Sequence, residues 1–179
     1  WIEAAMDQAL KKIPAQKVVL GLAAYGYDWP VEKETDPADV AILTYQDALS
    51  SAKEAQAKIR FDNDTYNLSY SYYDDENILH EAYFTDAATT FNAMRFATET
   101  ELAGVALWRL GSEDDRIWQF YNKNLSADSI QHFDYNVLSQ IQSTDNVTYS
   151  GFGEVLDVLA MPKKGNIQTS IDSTDLLIS

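Results

Sequence analysis

Two stretches decide how this chain reads: residues 17–29, KVVLGLAAYGYDW, and residues 103–115, AGVALWRLGSEDD. Residues 17–25 and 103–108 are short apolar runs without alternation. A strand covered on one face alternates, whereas a strand covered on both faces does not, and double coverage is typical of parallel sheets. Before the first run, Ile2, Ala5, Met6, Ala9, Leu10 and Ile13 mark one helical face, which Pro14 ends. The second run follows a predicted helix over residues 86–101. It precedes another over 113–122, with Ser112 as cap and acids in the first turn. Strands in such settings pair in parallel through crossover connections, so the two runs are expected to be neighbours.

Between them lies a different pattern. Thr44 fits an N-cap, and the Ala-rich stretch to residue 58 reads as helix. Residues 58–61, 66–72 and 78–84 are short, aromatic and bounded by turns, as in an antiparallel meander. This gives an α+β insertion over about residues 31–85, placed at the C-terminal end of the first buried strand. That end is where (β/α)₈ enzymes carry their functional loops. A complete barrel of that kind needs roughly 200 residues or more, and this chain has 179. It opens on Trp1 inside a helical pattern, so the reading is α/β, the C-terminal portion of a (β/α)₈ TIM barrel over residues 1–122. Residues 123–179 read as a β-rich extension or linker, with strands over 147–149, 154–161 and 166–171 separated by Gly151, Gly153, Pro162 and Gly165.

Charge narrows the function. With 28 acidic against 13 basic residues the net charge is −15, which repels phosphate backbones and makes nucleic acid a poor partner. Polyanionic glycans and anionic lipid surfaces are disfavoured for the same reason. No apolar run is long enough to span a bilayer, so direct membrane insertion is not expected. The chain has no cysteine and two histidines, His80 and His132, which leaves no thiolate site and little for a histidine-based metal site. No glycine-rich phosphate loop occurs.

What remains is aromatic. Tyr25, Tyr27 and Trp29 follow the first buried run, and Trp108 closes the second. Sugar rings present apolar C–H faces on which indole and phenol rings stack, while N–H or O–H groups reach a hydroxyl. Core packing competes with that role for any single aromatic; Trp108, followed at once by Arg109 and a loop, favours a ligand. Asp28, between two aromatics, is the carboxylate best placed near one. Glu113-Asp114-Asp115 reads as a helix-start acid cluster. Asp62-Asn63-Asp64 and Asp74-Asp75-Glu76 read as turns, and His80 reads as a structural strand histidine.

At these residues the sequence resembles glycoside hydrolase family 18, the chitinase-like barrels. The matching stretches are IPAQKVVLGLAAYGYDW, YSYYDDENILHEAYFTDAATTFNAMRFA and ELAGVALWRLGSEDDRIWQFY, in the order of the seventh strand, the insertion with its helix, and the eighth strand. WRLGSED and the tail SGFGEVLDVLAMPKKGNIQTSIDS also look like a branch in which the barrel is fused to a polysaccharide deacetylase and a glycosyltransferase. The resemblance implies that Trp108 forms the floor of the sugar site and that Tyr25, Tyr27, Asp28 and Trp29 lie along its wall. It implies substrate-assisted hydrolysis of an N-acetylglucosamine-containing polysaccharide. One Glu protonates the leaving oxygen and the substrate's own acetamide attacks the anomeric carbon. The family's Asp-x-x-Asp-x-Asp-x-Glu motif does not occur in these residues, so no catalytic residue is assigned here, and no cofactor or metal is implied. General acid catalysis contributes on the order of 10²- to 10⁴-fold, so this piece alone is expected to be nearly inert. Its expected partners are a polysaccharide or oligosaccharide and the missing N-terminal half of the barrel, or a second copy, to cover an open sheet edge. The expected location of the parent is outside the cytoplasm, in the cell envelope. The alternative is a non-catalytic, lectin-like glycan-binding module.

Overall fold

The structure, a computed structural model, describes residues 2–31, 39–62, 65–139 and 149–150. In chain order the elements are α1 (Ile2–Leu10), β1 (Val19–Ala23), β2 (Gly26–Pro30), β3 (Ala41–Leu43), α2 (Tyr45–Glu54), β4 (Ile59–Asp62), β5 (Asn67–Tyr73), β6 (Leu79–Phe84), α3 (Ala87–Glu99), β7 (Gly104–Trp108), α4 (Asn136–Ser139) and β8 (Tyr149–Ser150).

The two apolar runs are parallel neighbours. β1 pairs with β7 from Val19 opposite Gly104 to Ala23 opposite Trp108. Leu20 and Leu22 are buried on the side of α3, which packs against both strands. On the other face Val19, Gly21, Ala23, Ala106 and Trp108 are exposed. The apolar composition of both strands suits burial on two faces, and among the described residues nothing covers the second of them.

The insertion is larger than its sequence suggests. Residues 26–30, which the insertion read over about 31–85 did not include, form β2 inside a six-stranded sheet of order β3-β2-β6-β5-β4-β8. β2, β3, β6, β5 and β4 pair antiparallel, and β8 joins β4 in parallel. Gly26 permits this. A Cβ there would sit 2.6 Å from both the Phe84 Cβ and the Tyr83 carbonyl oxygen on β6. Gly26→Ala should therefore push β2 off β6 and cost about 1–3 kcal/mol, the usual range for overpacking. Urea denaturation with an unchanged slope and a lower midpoint would report it; a wild-type midpoint would contradict it.

α2 covers one face of this sheet. Its buried Tyr45, Ala48, Leu49 and Ala52 join Ile59, Phe61, Leu68, Tyr70, Ala82 and Phe84 in the core. Reciprocal capping boxes start both long helices, Thr44 with Asp47 on α2 and Asp86 with Thr89 on α3. Such boxes satisfy amides that the first turn leaves free.

Two further expectations are corrected. The predicted helix over 113–122 is a short 3-10 turn, Asp115–Gln119, capped by the Asp114 side chain and not by Ser112. Asp114 faces inward to meet Arg116 two residues on, and that local pairing favours a tight turn over a solvated helix start. The boundary at residue 122 also moves, because Leu125, Ile130 and Leu138 belong to the main core. Of the strands predicted later, only Tyr149 is described, in β8; those over 154–161 and 166–171 lie outside the described residues. Among the described residues no helix is long and apolar enough to cross a membrane.

Candidate functional site

Trp108 ends β7 with 71% of its surface exposed, and the Trp108–Arg109 peptide is cis. The loop after it is tied to itself. The Glu113 carboxylate accepts from the Gly111 and Ser112 amides, and Arg109 Nε donates to Ser112 Oγ at 3.4 Å. Gly111 sits at φ +88°, a conformation that favours glycine. Glu113 thus organises the turn beside Trp108.

The Ala24 amide donates to the Trp108 carbonyl at 2.7 Å, so Tyr25 follows directly beside Trp108. From there the aromatics run on. Tyr25 and Tyr27 meet edge to face at 5.4 Å, and Tyr27 and Trp29 are tilted at 5.4 Å. Contact with Tyr27 and then burial raise the Tyr25 phenol above its ordinary value. Strand alternation puts Tyr27 and Trp29 on the face of the sheet away from α2. On that face Tyr83 of β6 stands opposite Tyr27, and Glu81 stands opposite Trp29. The Tyr83 hydroxyl donates to Glu81 Oε2 at 3.3 Å. Burial and then the Glu81 charge push the Tyr83 phenol up.

Asp28 points the other way. It is 6% exposed; the Tyr72 hydroxyl donates to its Oδ2 at 2.6 Å, and His80 Nδ1 lies 2.8 Å from its Oδ1. The His80 ring stacks on Tyr72 at 5.1 Å, and its Nε2 lies 3.5 Å from Asp74 Oδ2. Backbone amides of Ile78 and Glu76 bind Asp74 and, with His80, hold its carboxyl below the usual range. Burial and then the bond to Asp28 raise the Tyr72 phenol. The expectation that Asp28 faces a ligand is therefore revised: both of its oxygens are engaged inside the sheet, where it fixes β2 to β5 and β6. His80 is structural, as its strand setting suggested.

The structure brings Tyr25, Tyr27 and Trp29 into one row of touching rings that starts at the residue after Ala24, whose amide binds the Trp108 carbonyl, and it buries Asp28 on the opposite face of the sheet. Tyr83 and Glu81 stand across from that row, and sequence reasoning missed them. The signal was present in β6, where residues 80, 82 and 84 face the core and 81 and 83 the opposite side. Asp62 Oδ1 accepts from the Thr65 amide and hydroxyl at 2.6 and 2.9 Å, as a turn residue does. Among the described residues no three His, Asp or Glu side chains gather as a metal-binding set.

With this geometry in view, residues 1–114 match the family model of glycosyl hydrolases family 18, and the chain belongs to that family. Its similarity to particular members is moderate. It is 30% identical over 123 residues to the uncharacterised glycosylase YvbX of Bacillus subtilis, covering 69% of this chain and 35% of that protein. It is 30% identical over 113 residues to the cortical fragment-lytic enzyme of the same organism, covering 63% of this chain and 26% of that protein. Among solved structures, a chitinase from Chromobacterium violaceum superposes with a TM-score of 0.59 at 29% identity, over 66% of this chain and 36% of its own. The spore cortex-lytic enzyme SleL of Bacillus megaterium gives 0.60 at 28% identity, over 66% of this chain and 28% of its own. The chain thus spans roughly a quarter to a third of the length of the relatives it matches.

Proposed function

We propose that the full-length protein hydrolyses an N-acetylglucosamine-containing glycan, chitin-like or of the cell envelope, by the substrate-assisted route, and that it works outside the cytoplasm. The activities for which its relatives are named, glycosylase, chitinase and cortex-lytic enzyme, support this substrate class. In this reading residues 1–139 supply the floor and one wall of the sugar site. Trp108 carries the proposal: a large indole, mostly exposed, at the end of a parallel strand, its carbonyl bound by the Ala24 amide one residue before the row Tyr25, Tyr27 and Trp29. A flat apolar ring held by a self-tied loop suits the C–H face of a pyranose. The acid that protonates the leaving oxygen comes from outside these 179 residues. The second face of β1 and β7 is covered by the rest of the barrel or, in the isolated chain, by a second copy.

Trp108→Ala in the full-length protein should weaken glycan engagement several-fold, since stacking is worth about 0.5–1.5 kcal/mol beyond area burial. If the indole also supports a distorted ring, the loss falls on kcat as well as KM. Trp118→Ala is the control, because Trp118 lies on the 3-10 turn against Tyr121 and is itself about half exposed. Wild-type binding and turnover in a folded Trp108→Ala variant would overturn the reading. Binding of chito-oligosaccharides with no turnover by the wild type would establish the lectin-like alternative.

A further inference from the structure

The face of the insertion sheet that carries Tyr27 and Trp29 also carries Tyr83, and the Glu81 carboxylate stands directly opposite Trp29, while the Asp62 carboxylate lies two strands from Tyr83 on β4. We propose that Glu81 makes this face selective for glycan units bearing a free amine, so that it favours N-deacetylated over N-acetylated amino sugars. The proposal rests on the glycan-binding reading above and names a preference within it.

The geometry is specific. Glu81 stands across from Trp29 on one side and from Ser71 on the other; Tyr83, two residues on, stands across from Tyr27 and Ser69. The Tyr83 hydroxyl holds the Glu81 carboxylate at 3.3 Å, which fixes the charge next to the stacking rings. Among the described residues no lysine or arginine forms an ion pair with Glu81. The described cation on this face is Arg60, which lies opposite Ser69 on β4. That places its backbone two strands from Tyr83, about 10 Å away.

An amino sugar stacked on Trp29 or Tyr27 presents its 2-substituent at the ring edge. An acetamide there is neutral and larger. An ammonium is cationic and can take the Glu81 carboxylate as its counter-ion while the ring keeps its stacking contact. The row also starts next to Trp108, because Tyr25, in ring contact with Tyr27, follows Ala24, whose amide donates to the Trp108 carbonyl. The overall charge of −15 acts in the same direction, drawing cationic glycans toward the surface.

The test measures binding of the full-length protein to two oligosaccharides of equal length, one fully N-acetylated and one N-deacetylated. Glu81→Gln removes the charge and keeps the shape, and melting temperature confirms folding. The ratio of affinities, deacetylated over acetylated, should fall roughly two- to fivefold in Glu81→Gln, the range of an exposed ion pair. Salt should shrink the wild-type ratio toward that of the variant, and Glu81→Lys should lower the ratio further. An unchanged ratio in Glu81→Gln, with both glycans still bound, overturns the proposal and leaves the glycan-binding reading intact. Binding of neither glycan by the wild type overturns both.

Discussion

Arg116→Ala should destabilise the chain by about 3–5 kcal/mol, the cost of breaking a buried ion pair from one side. Against a typical stability of about 5–15 kcal/mol, that is a large share. Arg116 has no exposed surface, and neither has the Asp86 side chain. Its Nε lies 2.9 Å from both Asp114 oxygens, its Nη1 donates to the Leu138 carbonyl at 2.9 Å, and its Nη2 donates to the Tyr45 hydroxyl at 3.3 Å. Nη2 is also 3.7 Å from Asp86 Oδ2. Asp114 in turn accepts from the Ala87 amide at 2.9 Å. One guanidinium therefore ties the starts of α2 and α3, the 3-10 turn and α4 together. Burial alone would lower its hold on the proton, but bonding to Asp114 more than offsets this and keeps it above its ordinary value. Burial raises the Asp86 carboxyl against the opposing Arg116 charge.

Removing the guanidinium leaves Asp86 and Asp114 buried without a counter-charge, so the Asp86 carboxyl, already raised by burial, is pushed up further. A carboxyl with a raised folded pKa binds more protons folded than unfolded, and its contribution to stability falls as pH climbs above the unfolded value. The deficit of Arg116→Ala should thus be larger near pH 7 than near pH 4, the unfolded carboxylate range. Urea denaturation at both pH values measures it. A loss below about 1 kcal/mol at neutral pH would show that the network contributes no more than a surface pair.

Phe91→Ala should cost about 3–5 kcal/mol, as is usual when a buried phenylalanine is truncated. Phe91 is fully buried. Its ring lies 5.3 Å from Phe120, 4.6 Å from Phe133 and 6.0 Å from Tyr135. The last two belong to the segment that the sequence reading assigned to an extension, so the cavity would open between α3 and that segment. Proteolysis should then cut residues 123–139 before the rest of the chain. A small loss in melting with no new cleavage would mean that the segment docks independently of Phe91.

Local chemistry explains what was legible. β1 and β7 were readable because apolar runs without alternation have few other uses in a chain of this composition. The capping role of Thr44 and the turns at 62–66 and 74–77 were readable because each depends on neighbours within a few residues. β2 was hidden by Gly26, Asp28 and Pro30, which individually argue against a strand. Their compensation is distant in sequence: Phe84 for the glycine, and Tyr72 and His80, 44 and 52 residues away, for Asp28. The run Glu113-Asp114-Asp115 looked uniform, yet Glu113 caps a loop while Asp114 is buried with Arg116. The aromatic path beside Trp108 was legible in its β1–β2 half. Its Tyr83 and Glu81 half depends on knowing which face of β6 turns outward, and that is fixed only by pairing with β2.

The insertion also leaves and re-enters its scaffold at one spot. Ala24 and Tyr25 join β1 to β2, and the Thr85 hydroxyl, at the far end of the insertion, donates to the Ala23 carbonyl at 3.1 Å. Sixty-odd residues therefore form a graft whose two roots touch. Closure entropy grows only slowly with the length of such a loop, by about 0.6 kcal/mol per doubling. Lengthening or shortening the β4–β5 and β5–β6 connections should leave the parallel pair unmoved while it reshapes the insertion sheet. The splice between Ala23 and Thr85 is accordingly the place to exchange this graft for another, altering the aromatic face beside Trp108 without rebuilding the strands that carry it.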